Sequence, residues 1–251
     1  MKNDSLLIII DPQNDFVDRK GSLYVPGSEK AIKNICKFIQ TRGGYIEDIL
    51  ISQDTHQKFS IGFPVFWNSN LHPFDKISIK DILNDKIKPV YIRPTWIDQF
   101  KKQFKKYRHE ELTVWPDHCI EGSWGWCFPD ELIQTLNDWN IIHHRNYKTY
   151  KKGYIPELEA YSLMTDFKIG SNIEISIKTP PPIFGYSKVY ICGFCKDICV
   201  AETLYDLKEN DYFKDKLVIL DNCMATLDSN SSNLKIYEDL IKTYGAKIEN
   251  V

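Results

Sequence analysis

The feature that most constrains the fold of this chain is a series of short, dense apolar runs separated by segments of helical spacing. The runs are Leu6–Ile10, Ile49–Ser52, Val90–Ile92, Ile141–His143, Val189–Cys192 and Leu217–Leu220. They lack polar alternation, as expected of central parallel strands buried on both faces. Between them, Ala31, Ile32, Ile35, Phe38 and Ile39 share one helical face, with Gly43-Gly44 as a stop signal. Leu132, Ile133, Leu136 and Trp139 form a second such face, Val200 to Leu207 a third, and Leu234 to Ile241 a fourth that ends at Tyr244-Gly245. This alternation predicts an α/β class chain, a doubly wound, three-layer α/β/α domain on a mainly parallel sheet of about six strands.

A chain of 251 residues, 43% hydrophobic and 26% charged, is large enough for a sizeable core without disulfides or a structural metal. We therefore expect one domain over 1–251, with insertions near 57–87 and 167–187 lying over its surface or edge. The net charge of −2, with Lys and Arg dispersed, excludes the electrostatic footprint of a nucleic-acid binder. The Leu6–Ile10 run is too short for a secretory signal, and no stretch approaches the ~18–20 apolar residues of a membrane span. Seven cysteines, an odd number, predict free thiols and a cytoplasmic setting, with nuclear access left open.

In open parallel sheets ligands bind at the carboxyl ends of the strands. Asp11-Pro12-Gln13-Asn14-Asp15-Phe16 follows the first run, Asp54-Thr55-His56 the second, and Gly193-Phe194-Cys195-Lys196-Asp197-Ile198-Cys199-Val200 the fifth. A carboxylate and a thiol thus fall on one rim, the thiol near a helix start where partial positive charge favours the thiolate. Either alone is weak, because free Cys is usually a small buried hydrophobe and Asp after a strand is usually a turn or cap residue. Asp54-x-His56, with the later Trp115-Pro116-Asp117-His118-Cys119, offers a carboxylate and two imidazoles that zinc, iron or manganese accept. His72, His109, His143 and His144 have no comparable setting. Cys192-x2-Cys195-x3-Cys199 has the spacing of half a zinc cluster, but Cys192 lies in a strand and no second pair follows.

Taken in order, the Asp11–Phe16 box, Asp54-Thr55-His56, Trp115–Cys119, Lys152-Gly153 ahead of Tyr161-Ser162, Gly193–Val200 and Asp221-Asn222-Cys223 resemble the isochorismatase-like cysteine hydrolases, and among them the nicotinamidases. The resemblance covers nearly the whole chain and implies the isochorismatase-like hydrolase fold. It implies a catalytic triad of Asp11, Lys152 and Cys199, and an oxyanion hole from the backbone N–H groups of Cys195 and Cys199, with a cis peptide before Cys195. It further implies one divalent metal ion, zinc ahead of iron or manganese, held by Asp54, His56 and His118. Aromatic substrate walls would come from Phe16, Trp115 and Tyr161. The implied activity is conversion of nicotinamide to nicotinate and ammonia in NAD salvage. A related hydrolase of another small amide or carbamoyl compound is the alternative, and a non-catalytic protein of the same fold the third reading. The implied partner is a small-molecule amide, with no nucleic acid and no membrane; a homo-oligomer is left open. One departure stands out. Many relatives carry a further His four residues after the Asp-x-His motif, where this chain has Ser60.

Overall fold

A computed structural model describes residues 4–165 and 183–251. Its centre is a six-stranded, wholly parallel sheet in the order β5-β2-β1-β6-β7-β8. The strands are β1 (Ser5–Ile10), β2 (Ile46–Asp54), β5 (Lys148–Lys152), β6 (Lys188–Gly193), β7 (Leu217–Met224) and β8 (Lys247–Glu249). Leu6 to Ile10 are entirely buried, as are Val189, Ile191 and Cys192, because β1 and β6 occupy the middle of the sheet. The chain winds outward from β1 through β2 to β5, returns to β6 beside β1, and winds outward again. The order therefore reverses between β1 and β6, which makes the carboxyl ends of these two strands the natural ligand crevice.

Four longer helices carry the faces expected of them: α2 (Ser28–Arg42), α5 (Asp130–His143), α6 (Ala201–Lys208) and α7 (Lys235–Tyr244). The shorter α1 (Asn14–Val17) follows β1. In α2 the buried apolar set is Ala31, Ile32, Ile35, Phe38 and Ile39, joined by Cys36. Helix α7 ends on Gly245 at φ 72°, a left-handed stop that glycine takes without strain.

Two expected strands are absent. Ile141–His143 is the last turn of α5, and Ile141 and Ile142 are 72% and 68% exposed. Leu132, Leu136 and Trp139 turn one side of this helix into the core, so Ile141 and Ile142 fall on the other. His143 thus follows no strand and instead packs against Trp139 with ring centroids 5.9 Å apart. Val90–Ile92 is irregular chain, ended by the turn Pro94–Trp96, with Val90 and Tyr91 both 61% exposed. The strands that take their places, β5 and β8, are the two sheet edges. An edge strand is covered on fewer sides, so its residues need not be apolar: β5 carries three Lys, and β8 a Lys and a Glu around one Ile.

The segment around 57–87 belongs to a larger folded unit that runs on to Val114. It contains β3 (Lys76–Ser78) paired antiparallel with β4 (Glu111–Thr113), and the helices α3 (Ile79–Leu83) and α4 (Ile97–Lys105). Ile61, Phe66, Trp67, Ile77, Ile82, Phe100, Phe104 and Leu112 form a separate apolar cluster inside it. The expected insertion at 167–187 lies outside the described residues except for 183–187. Among the described residues no helix is long and apolar enough to cross a membrane.

Candidate active site

Asp11 directly follows β1, Lys152 ends β5, and Cys199 sits in the π-helical turn Lys196–Val200 between β6 and α6. The Lys152 ammonium lies 2.9 Å from Asp11 Oδ2, 3.1 Å from Asp54 Oδ1 and 3.5 Å from Cys199 Sγ. It also donates to the Ala160 carbonyl at 3.0 Å. Acid, ammonium and thiol are thus brought together, and Lys152 and Asp11 are completely buried. Ser52 donates from Oγ to Asp11 Oδ1 at 2.6 Å and accepts the Asp11 N–H at 3.1 Å. This partner was not foreseen. Its only sequence signal is a hydroxyl inside an apolar strand.

Close backbone packing shapes the thiol loop. Gly193, at φ 119°, pairs with Ile10, and a Cβ there would sit 2.1 Å from the Ile10 carbonyl oxygen. No residue but glycine lets β6 turn away from β1 at this point. The Phe194–Cys195 peptide is cis, as expected.

Electrostatics in this pocket are dominated by burial. Burial raises the proton affinity of Cys199 well above that of a free thiol, against the pull of the Lys152 charge. Desolvation of the anion thus works against the positive charge that favours a thiolate at a helix start. Burial likewise raises Asp11 above the usual carboxylate range, opposed by Lys152. Burial alone would lower Lys152, but the carboxyl groups of Asp11 and Asp54, with the neighbouring Cys199 sulfur, hold it well above its ordinary value.

Asp54, His56 and His118 converge beside the thiol, with one ligand atom from each lying within 4.8 Å of the others. Asp54 Oδ2 is 3.1 Å from His56 Nε2 and 3.3 Å from His118 Nε2. His118 Nδ1 lies 2.8 Å from the Pro116 carbonyl, which can only accept, so Nδ1 carries a proton and Nε2 is the atom turned toward Asp54. Ser60 Oγ is 3.3 Å from His56 Nδ1, the ring nitrogen facing away from Asp54. The residue standing where relatives place an extra His thus contacts a candidate metal ligand through its hydroxyl. Burial lowers His56, whereas for His118 the hydrogen bond to Asp54 overcomes burial and raises it. For Asp54 burial acts upward, but His56, Lys152 and His118 together hold it well below the carboxylate range. A buried carboxylate and two imidazoles with converging lone pairs fit a divalent transition metal.

Phe16, Trp115 and Tyr161 all line a cavity that also touches Asp54, His56, His118, Cys195 and Cys199. Trp115 donates from Nε1 to the Tyr161 hydroxyl oxygen at 2.9 Å, locking two of the walls. Gly62 and Ile198 complete the enclosure. Glu159 also faces this space and was missed in the sequence. Burial raises its carboxyl to about 7, and Oε2 is buried without a hydrogen-bond partner. An acid set among Ile155, Leu158 and Ala160 is its faint signal.

The remaining side chains singled out earlier lie elsewhere. All seven cysteines are free, and Cys192 is buried in β6, which removes the zinc-cluster reading. His109 pairs with Glu202 at 2.7 Å, and His72 lies 3.7 Å from Asp75 at the surface.

No protein-family model matches the chain. A nicotinamidase of Saccharomyces cerevisiae is 26% identical over 234 residues, covering 93% of this chain and 94% of that protein. The structure of the yeast nicotinamidase Pnc1p superposes with a TM-score of 0.64 at 21% identity, covering 97% of this chain and 98% of that one. A pyrazinamidase of Pyrococcus horikoshii, solved in complex with zinc, superposes with a TM-score of 0.58 at 20% identity over 99% of both chains. In sequence this chain is similar to a nicotinamidase across nearly its whole length, and it shares the fold of solved nicotinamidases.

Proposed function

We propose that this chain hydrolyses nicotinamide to nicotinate and ammonia through a thioester on Cys199. The observation that carries the reading is the single buried ammonium of Lys152, shared by Asp11, Asp54 and the Cys199 sulfur. The same Asp54 faces His56 and His118, so the reacting thiol and a candidate metal centre share one wall.

The chemistry follows from the proton affinities. Asp11, pushed up by burial, is a stronger base than an exposed carboxylate, and it accepts the Cys199 proton as sulfur attacks the amide carbon. Lys152 stays positive throughout and stabilises the anion, whichever of Asp11 and Cys199 carries it. The tetrahedral oxyanion is held by the N–H groups of Cys195 and Cys199. The C–N bond breaks, the Asp11 proton passes to the departing ammonia, and the acyl group stays on sulfur. Water then gives a proton to Asp11 and adds to the thioester. Breaking of the C–S bond releases nicotinate and returns the proton to the thiol.

A divalent metal held by Asp54, His56 and His118, with zinc the first candidate, supplies a Lewis-acid anchor for a ring nitrogen. Phe16, Trp115 and Tyr161 form an apolar slot suited to a flat heteroaromatic ring. The product acid suits a step of NAD salvage, and seven free thiols suit a reducing compartment such as the cytoplasm.

The test is ammonia release from nicotinamide by the purified chain, by Cys199→Ala, and after chelator treatment. Turnover abolished by the substitution and reduced by chelation is expected. Hydrolysis of another small amide with nicotinamide untouched would move the assignment to a related amidase. No turnover of any amide would favour a binding protein that has kept the fold. The acid limb of kcat/KM is expected above the ordinary carboxylate range, because Asp11 must be ionised to accept the proton and burial raises it.

A further inference from the structure

One buried carboxylate belongs to neither the triad nor the candidate metal ligands, yet it touches the loops that carry both the ligands and the cavity walls. Asp15, at the start of α1, is 5% exposed. Its Oδ2 accepts the Cys119 N–H at 2.7 Å, and its Oδ1 accepts the N–H and hydroxyl of Ser22 at 2.9 and 3.1 Å. Cys119 directly follows His118 and has φ 49°, a conformation that a non-glycine residue keeps only under constraint. Ser22 precedes Leu23, which lines the cavity, and Asp15 itself precedes Phe16, whose ring centroid is 5.6 Å from that of His118. The space for this carboxylate is left by Gly125, where an added Cβ would fall 2.1 Å from Asp15 Oδ2.

We propose that Asp15 is a positioning residue that holds the His118 loop in its cation-binding geometry, and that position 125 is glycine to admit that carboxylate. It acts through His118 and touches neither metal nor substrate. The chain from carboxylate to Cys119 N–H to the His118 backbone sets where Nε2 stands relative to Asp54. Cys199 itself sits on a different loop, the Lys196–Val200 turn after β6, which none of these Asp15 hydrogen bonds reaches. This rests on reading Asp54, His56 and His118 as a metal site.

The test uses Co²⁺, whose affinity and visible spectrum are read on the full chain, with the rate of Cys199 alkylation measured in parallel. Asp15→Ala should weaken Co²⁺ binding 10–100-fold, the usual effect of losing an outer-shell partner, while leaving alkylation of Cys199 unchanged. Gly125→Ala should do the same with every hydrogen-bonding group intact, and it serves if Asp15→Ala does not fold. Asp15→Asn, whose amide oxygen can still accept from Cys119, should recover most of the affinity. Co²⁺ binding within twofold of the unaltered chain in both alanine variants would overturn the proposal. So would a loss of metal affinity matched by an equal loss of thiol reactivity, the mark of general damage. An unaltered chain that binds no Co²⁺ overturns the metal reading itself, and this proposal with it.

Discussion

At the scale of single residues, the buried ammonium of Lys152 offsets the cost of burying two carboxylates, Asp11 and Asp54, beside a thiol. Replacing it by an apolar group of similar length would leave Asp11 without its ion-pair partner in a completely buried position. Lys152→Met is expected to lose turnover and to lower stability by about 3–5 kcal/mol, read from urea denaturation. Glu159 gives a prediction of opposite sense. Its folded-state value of about 7 lies above the ordinary 4.5, so the folded chain binds this proton more tightly than the unfolded chain does. That contribution is full below pH 4.5 and is lost as pH rises through 7. In chelator-treated protein Glu159→Gln should therefore be more stable than the unaltered chain at pH 8, by up to about 3 kcal/mol, with the advantage shrinking toward pH 5. Equal Tm differences at the two pH values would refute this. Asp11, Asp54, His56 and Cys199 were legible because they follow apolar runs, and His118 as a second imidazole for the Asp-x-His pair, whereas Lys152 was reached only through the family resemblance. Ser52, Ser60 and Glu159 were not legible as members of the site, since each contributes through a direction in space that no local pattern encodes.

At the scale of elements, the central strands were plain to read and the edges were not. β1, β6 and β7 are buried on both sides, so selection for burial alone writes them as apolar runs. β5 reads Lys148-Thr149-Tyr150-Lys151-Lys152, yet its last residue supplies the ammonium at the centre of the site. The short runs Val90–Ile92 and Ile141–His143 read as strands because a short run looks alike whether it is a strand or an exposed helix end. The β1–β6 junction is the element on which the thiol loop depends. Gly193→Ala places a methyl carbon against the Ile10 carbonyl and forces an L-residue to φ 119°. It is expected to cost at least about 1–3 kcal/mol and to displace the loop that carries Cys195 and Cys199. A variant with unchanged urea midpoint and unchanged turnover would show that the junction tolerates a side chain.

At the scale of the whole molecule, two packed units meet over the cavity. The sheet and its helices supply Asp11, Lys152 and Cys199, while Gly62 reaches the cavity from the smaller unit and Trp115, next after its last residue Val114, packs with the main core. Arg108 and His109 of that unit grip Glu202 on α6 at 2.8 and 2.7 Å, close to the nucleophile turn. Phe66 is fully buried in the smaller cluster, so Phe66→Ala should cost about 3–5 kcal/mol. Hydrogen exchange is expected to speed up across 57–114 while β1 and β6 remain protected, and KM to rise more than kcat falls. Equal loss of protection in both units would show that they unfold as one.

The sequence by itself determined the parallel sheet, the rim on which chemistry sits and the boxes that carry the reacting groups, because burial and strand-end loops leave periodic, local marks. Only the tertiary structure decided that one ammonium unites two acids and a sulfur, that burial pushes this thiol up, and that Ser60 lies against His56 while Asp15 accepts the N–H of Cys119. Those properties arise from desolvation and from distances between loops far apart in the chain, and both come into being only when the loops pack.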